Sequence, residues 1–128
     1  MNESQLFPGK ANESLASAEA DLSAGCYNSC ANRAYNAALQ AAVAALIVAG
    51  MRPKGAKWEH KFVISGFSGT IVRRRKLVPA GLRSTLDFLM TTRAVADYGS
   101  EAVSKRTERE SLRRASRLVQ AVGDIRTR

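Results

Sequence analysis

The chain has 128 residues, the size of one domain, and at 45% hydrophobic and 24% charged its composition excludes wholesale disorder and collagen-like or mucin-like structure. Aromatic residues make up 6%, prolines number three and alanine is abundant, a bias toward closely packed helices and away from a β-sandwich. Twenty Lys plus Arg against eleven Asp plus Glu give a net charge of +9, a surplus that attracts polyanions.

That surplus is unevenly distributed. Residues 1–51 carry −2, residues 52–76 carry +7, residues 77–100 are neutral and residues 101–128 carry +4, so two basic blocks flank a neutral segment. Such blocks suit either a solvated surface or a face for nucleic acid or nucleotide.

In chain order the pattern predicts five helices within a single helical domain over 1–128, with an ordered core of about 12–123 and flexible termini. The first runs from Asn12, a residue suited to capping, through Leu15, Ala18 and Leu22 on one face to Gly25. The second covers about 26–49 and is closed by Gly50 and Pro53. In it Asn28, Asn32, Asn36 and Gln40 form a polar stripe. Tyr27, Ala31, Ala34, Ala38, Ala42 and Leu46 line another face, small enough for close approach by a neighbouring helix or a partner chain. A basic loop over 52–57 leads to a third helix over about 58–74, weakened by Gly66 and Gly69 and ended by Arg73, Arg74, Arg75 and Lys76.

Pro79 falls near the first turn of the fourth helix, whose stripe of Leu82, Leu86, Leu89, Arg93 and Ala96 puts Arg93 on or beside the buried face. Thr107 with Glu110 reads as a capping box for the fifth, with Leu112, Ala115, Leu118, Val119 and Val122 on its apolar side. The expected fold class is all-α, an antiparallel up-and-down four-helix bundle with an additional helix.

Residues 37–51 form the longest apolar run and fall short of the ~20 residues that span a bilayer, so no membrane partner is expected. No secretory signal precedes Cys26 and Cys30, which implies a reduced, cytoplasmic setting. Cys26, Cys30 and the single His60 are one ligand short of a closed zinc site; no metal is expected, and both cysteines read as small buried apolar residues. No Gly-rich phosphate loop occurs, and no cofactor is expected.

Two tracts stand out. One is Ala31, Asn32, Arg33, Ala34, Tyr35, Asn36, Ala37 and Ala38, followed by Ala41, Ala42, Ala45, Leu46 and Gly50; the other is Arg93, Ala94, Val95, Ala96, Asp97 and Tyr98, with Ser104 beyond. Between them lie His60, Phe67, the cluster at 73–76 and Pro79. In this order they resemble the HEPN superfamily, in particular a prokaryotic branch with an Arg, three residues, Asp-Tyr signature at the end of its fourth helix. The likeness covers about 12–123.

The resemblance implies a homodimer of helical bundles in a toxin–antitoxin or defence system, often beside a minimal nucleotidyltransferase. It also implies, for many members, a metal-independent RNase in which Arg is followed after four to six residues by His. Carried onto this chain the arginine is Arg93, and the three positions for the histidine hold Tyr98, Gly99 and Ser100. A tyrosine of ordinary pKa near 10 is a poor base at neutral pH.

The candidate catalytic residues are therefore Arg93, Asp97, Tyr98 and His60. The candidate nucleic-acid-binding residues are Arg52, Lys54, Lys57, Arg73, Arg74, Arg75 and Lys76. Arg93 and Asp97, spaced i, i+4, also suit an ion pair that fixes packing or a dimer seam. The leading expectation is a non-enzymatic or nearly inactive dimeric module that binds RNA, nucleotide or a nucleotidyltransferase-type antitoxin. The alternative is a metal-independent RNase toxin using Arg93 with Tyr98 or His60. The dimer seam is expected on the second or fourth helix.

Overall fold

Alanine makes the second helix the axis of the molecule. Its side chain costs no rotamer entropy in a helix and leaves room for neighbours on every side, and from Cys30 to Leu46 this helix buries Ala31, Ala34, Ala37, Ala38, Ala41, Ala42, Ala44 and Ala45. The computed structural model describes the backbone of residues 3–126 and the side chains of residues 5–125. Its helices are α1 (Glu3–Ala24), α2 (Tyr27–Val48), α3 (His60–Gly66), α4 (Thr85–Tyr98) and α5 (Lys105–Arg126). Phe67–Arg74 continue α3 as a π-helix, and Ala80–Ser84 form a 3-10 turn that runs into α4. No strand occurs among the described residues, so the all-α expectation holds.

Contacts between helices fix their directions. Ser29, at the start of α2, donates to Asp21 near the end of α1, and Ser14 pairs with Gln40 further along, so α1 and α2 are antiparallel. Asn32 meets Asp97 in the last turn of α4, so α4 also opposes α2. Glu108, in the first turn of α5, adjoins Cys30, which sets α5 parallel to α2. The result is an up-and-down bundle of α1, α2, α4 and α5, with α3 and its π-helical extension as the additional helix. Leu46, Val63, Phe67, Ile71, Leu82, Leu86, Leu89 and Leu118 fill the core. Each contributes roughly 1.5–3 kcal/mol of apolar burial.

Several boundaries differ from the sequence expectation. α1 begins at Glu3 and passes through Pro8, so Asn12 lies inside the helix rather than capping it. Phe7 packs edge-on against Trp58 and Ala11 is buried; this tertiary packing outweighs the backbone hydrogen bond that Pro8 removes. The first and last helices reach beyond 12–123, to Glu3 and to Arg126, and the termini expected to be flexible lie partly outside the described residues.

α2 ends where Gly50 adopts a φ of +77°, with its N–H bonded to Ile47 O and that of Met51 to Leu46 O, the left-handed cap that glycine accommodates. At α5 the cap is Ser104, not Thr107. The Ser104 hydroxyl accepts the Thr107 N–H at 3.1 Å, placing Thr107 inside the first turn. The alanine face of α2 is consumed by α1, α4 and α5. Of the two helices expected at a dimer seam, α4 keeps Met90, Val95 and Tyr98 exposed along its outer side, whereas α2 keeps only Val48, its last residue, among the exposed large apolar side chains of the described residues.

Candidate functional site

The leucine stripe of α4 turns Arg93 toward α2, where Asn32 sits between it and Asp97. Arg93 Nε donates to Asn32 Oδ1 at 3.1 Å, and Asn32 Nδ2 donates to Asp97 Oδ1 at 2.7 Å. Arg93 Nε also lies 3.5 Å from Asp97 Oδ2, with the two side chains 35% and 25% exposed. The guanidinium carbon stands 5.3 Å from the centre of the Tyr35 ring. The i, i+4 pair expected from the sequence is therefore present, with α2 holding it through an asparagine from the polar stripe.

Tyr35 is 0% exposed, and its hydroxyl lies 3.0 Å from His60 Nδ1, the two rings meeting edge-on at 5.5 Å. Burial, chiefly, pushes the Tyr35 phenol up from its ordinary pKa, so it stays protonated. The direction of this hydrogen bond follows the tautomer of His60. Arg93 and His60, 33 positions apart in sequence, thus share contact with one tyrosine. Tyr98 does not join them: it is 87% exposed on the outer side of α4.

The two basic groups converge at the end of α2. Arg75 Nη1 donates to Ala49 O at 3.2 Å, so the cluster at 73–76 is pinned beside the point where the basic loop departs. The π-helix ends with Arg75 N–H bonded to Thr70 O and Leu77 N–H to Ile71 O, and Lys76 takes a φ of +50°. Arg73, Arg74, Arg75 and Lys76 are all exposed. Arg52, Lys54 and Lys57 are exposed too, and both lysines, with Phe62 and Glu59, line an open cleft of about 520 Å³.

Over residues 5–125 the sequence matches the model of the HEPN domain. The chain belongs to the HEPN family. No curated protein matches it. HEPN domains are linked to RNase toxins and nucleotide-related functions, and they often dimerise. At Gly99, one of the three positions where the resemblance calls for histidine, a Cβ would stand 2.6 Å from Val95 O, so no side chain fits there on this backbone. No helix among the described residues is long and apolar enough to cross a membrane.

Sequence reasoning left two residues of this cluster unassigned, Tyr35 and Asn32, although both lie in the alanine-rich tract of α2. It also passed over Glu108. This carboxyl is 0% exposed, and among the described residues neither of its oxygens, nor the Ser111 hydroxyl, has a hydrogen-bond partner. Burial raises its pKa to about 7, an effect that the neighbouring Cys30 thiol and Ser111 do not offset. Cys30 is raised to about 12 by burial first and by Glu108 second, so it remains a thiol. Cys30 is buried as expected, whereas Cys26 is exposed, because it precedes the first turn of α2.

Proposed function

We propose that this HEPN chain is a homodimeric binding module that engages RNA or nucleotide phosphates through the face formed by Arg52, Lys54, Lys57, Arg73, Arg74 and Lys76. On this reading it works in the cytoplasm within a toxin–antitoxin or defence system, against a nucleotidyltransferase-type antitoxin. The observation that carries the binding reading is the Arg75 to Ala49 hydrogen bond, which pins two basic groups distant in sequence to one end of α2. Exposed Met90, Val95 and Tyr98 on α4 support pairing through that helix. The reading is non-catalytic because Arg93 is held by Asn32 and Asp97, and because Nδ1 of His60 is engaged by the buried Tyr35 hydroxyl.

The test is RNA affinity as a function of salt. Arg73→Gln, Arg74→Gln and Lys76→Gln combined, with Arg75 left to hold α2, should weaken binding for all sequences alike and flatten the salt slope by about two to three units. An unchanged slope defeats the reading. Light scattering at micromolar concentration tests the dimer, and a strictly monomeric mass counts against it.

One observation favours a second reading, a metal-independent RNase: Arg93 and His60 flank the same tyrosine. Cleavage of RNA in the presence of a chelator, lost in Arg93→Ala and in His60→Gln while both variants keep their fold, would install it.

A further inference from the structure

At the other end of α4, about 12 Å along the axis from Arg93, the 3-10 turn and α5 enclose a small polar cavity. It is lined by Gly81, Leu82, Ser84 and Thr85 on one side and by Arg113, Arg114 and Arg117 on the other, with a volume of about 190 Å³. None of these residues belongs to the Arg93 cluster or to the basic face at the end of α2.

The arginines are placed rather than loosely arrayed. Glu110 fixes Arg113 through Nε at 3.0 Å and Nη2 at 2.6 Å, and takes Arg114 Nε at 2.9 Å. Arg114 also lies over the Phe88 ring, its guanidinium carbon 4.1 Å from the ring centre. Two of the three cations are therefore held in position before any ligand arrives, which lowers the ordering cost of binding. Arg117, one turn further on, has no ion pair among the described residues.

Three guanidiniums against the one carboxylate of Glu110 leave two positive charges at the cavity. The two arginines hold Glu110 down to about 2, so that balance persists across the physiological range. A double positive charge matches a phosphate monoester, which carries about −1.5 to −2 near pH 7, better than an internal phosphodiester with one charge. The volume matters as well. Whole small-molecule sites occupy about 300–1,000 Å³, so this cavity accepts a phosphoryl group and excludes the sugar and base attached to it.

We propose that this cavity is an anion site for a terminal phosphate monoester, with Arg117 supplying the cation that the ligand alone neutralises. The proposal goes beyond the basic-face reading and stands independently of it, since the two regions share no residue.

Inorganic phosphate is the first probe, titrated against the full chain at low salt and followed by phosphorus NMR. Saturable binding is expected, weakened at least tenfold in Arg117→Gln. Gly81→Asp should weaken it too, because nothing lies within 4 Å of a Cβ at that position and the new carboxylate stands at the rim as a competitor. Arg109→Gln removes the same charge from α5 two turns before Arg117, outside the lining of the cavity, and should leave affinity within twofold. Far-ultraviolet circular dichroism confirms that each variant is folded.

Two sources of the phosphate are then compared, a nucleoside 5′-monophosphate against its nucleoside and a 5′-phosphorylated oligoribonucleotide against its 5′-hydroxyl form. In each pair only the phosphorylated member should lose affinity in Arg117→Gln. Absence of saturable phosphate binding, or an equal loss in Arg109→Gln and Arg117→Gln, overturns the proposal even if RNA still binds the basic face.

Discussion

Arg93 on α4 and Glu108 on α5 both bring an ionisable group against the first two turns of α2, at the same end of the bundle, and meet opposite conditions there. Arg93 has Asn32, Asp97 and the face of Tyr35; the Glu108 carboxyl has no hydrogen-bond partner among the described residues. A charge that keeps partners and partial solvent stays charged, and its contribution to stability is one of connectivity. A carboxyl sealed without partners gives up its charge instead, and ties folding to pH.

The largest expected effect breaks that contrast by removing the titration. Glu108 is raised from 4.5 to about 7 in the folded chain, so between those values the folded state holds a proton that the unfolded state has released. Its contribution is fully present below about pH 4.5 and is lost as pH rises through about 7, amounting to at most about 3 kcal/mol. Glu108→Gln cannot titrate. Melts at pH 5, 6, 7 and 8 should show the wild type falling relative to the variant by up to roughly 10 °C across the series. Parallel curves would mean that Glu108 is solvated in solution.

The second effect is smaller and independent of pH over the same window. Arg93→Ala leaves Asp97 without its cation and Asn32 without its donor, a loss on the order of 1–3 kcal/mol for a partly exposed, charge-assisted contact. Asn32→Ala should cost a similar amount, and the double variant less than the two losses added, because all three side chains form one network. Strict additivity would reduce the cluster to independent surface contacts.

Part of this contrast was legible in the sequence. The stripe of Leu82, Leu86, Leu89 and Arg93 aimed Arg93 inward, and the asparagines of α2 were visible as a face, because both signals are local and periodic. Glu108 was legible too, lying four residues before Leu112 and seven before Ala115 on the apolar side of α5. Assigning the helix start to Thr107 hid it, since acidic residues in a first turn are ordinarily solvated at the positive end of the dipole. The meeting of His60 with Tyr35 was not legible: it depends on how the loop over 49–59 returns across the bundle, and no short-range pattern encodes that path. Nor was the start of α1 at Glu3, where contact with Trp58, about fifty residues away, overrides Pro8.

The smallest expected effect links the cap of α5 to the carboxyl it helps to bury. Ser104 accepts the Thr107 N–H at 3.1 Å and donates to the Thr107 hydroxyl at 2.9 Å, while its own carbonyl accepts the Glu108 N–H at 3.1 Å. Ser104→Ala removes the side-chain cap and should cost about 1 kcal/mol where Glu108 is protonated, near pH 5. A looser first turn admits water to the carboxyl and lowers its folded pKa, which relieves part of the alkaline penalty. The cost of Ser104→Ala should therefore shrink by pH 8 in the wild-type background and stay constant with pH in Glu108→Gln. Equal costs at both pH values in both backgrounds would show that the cap and the buried carboxyl act separately.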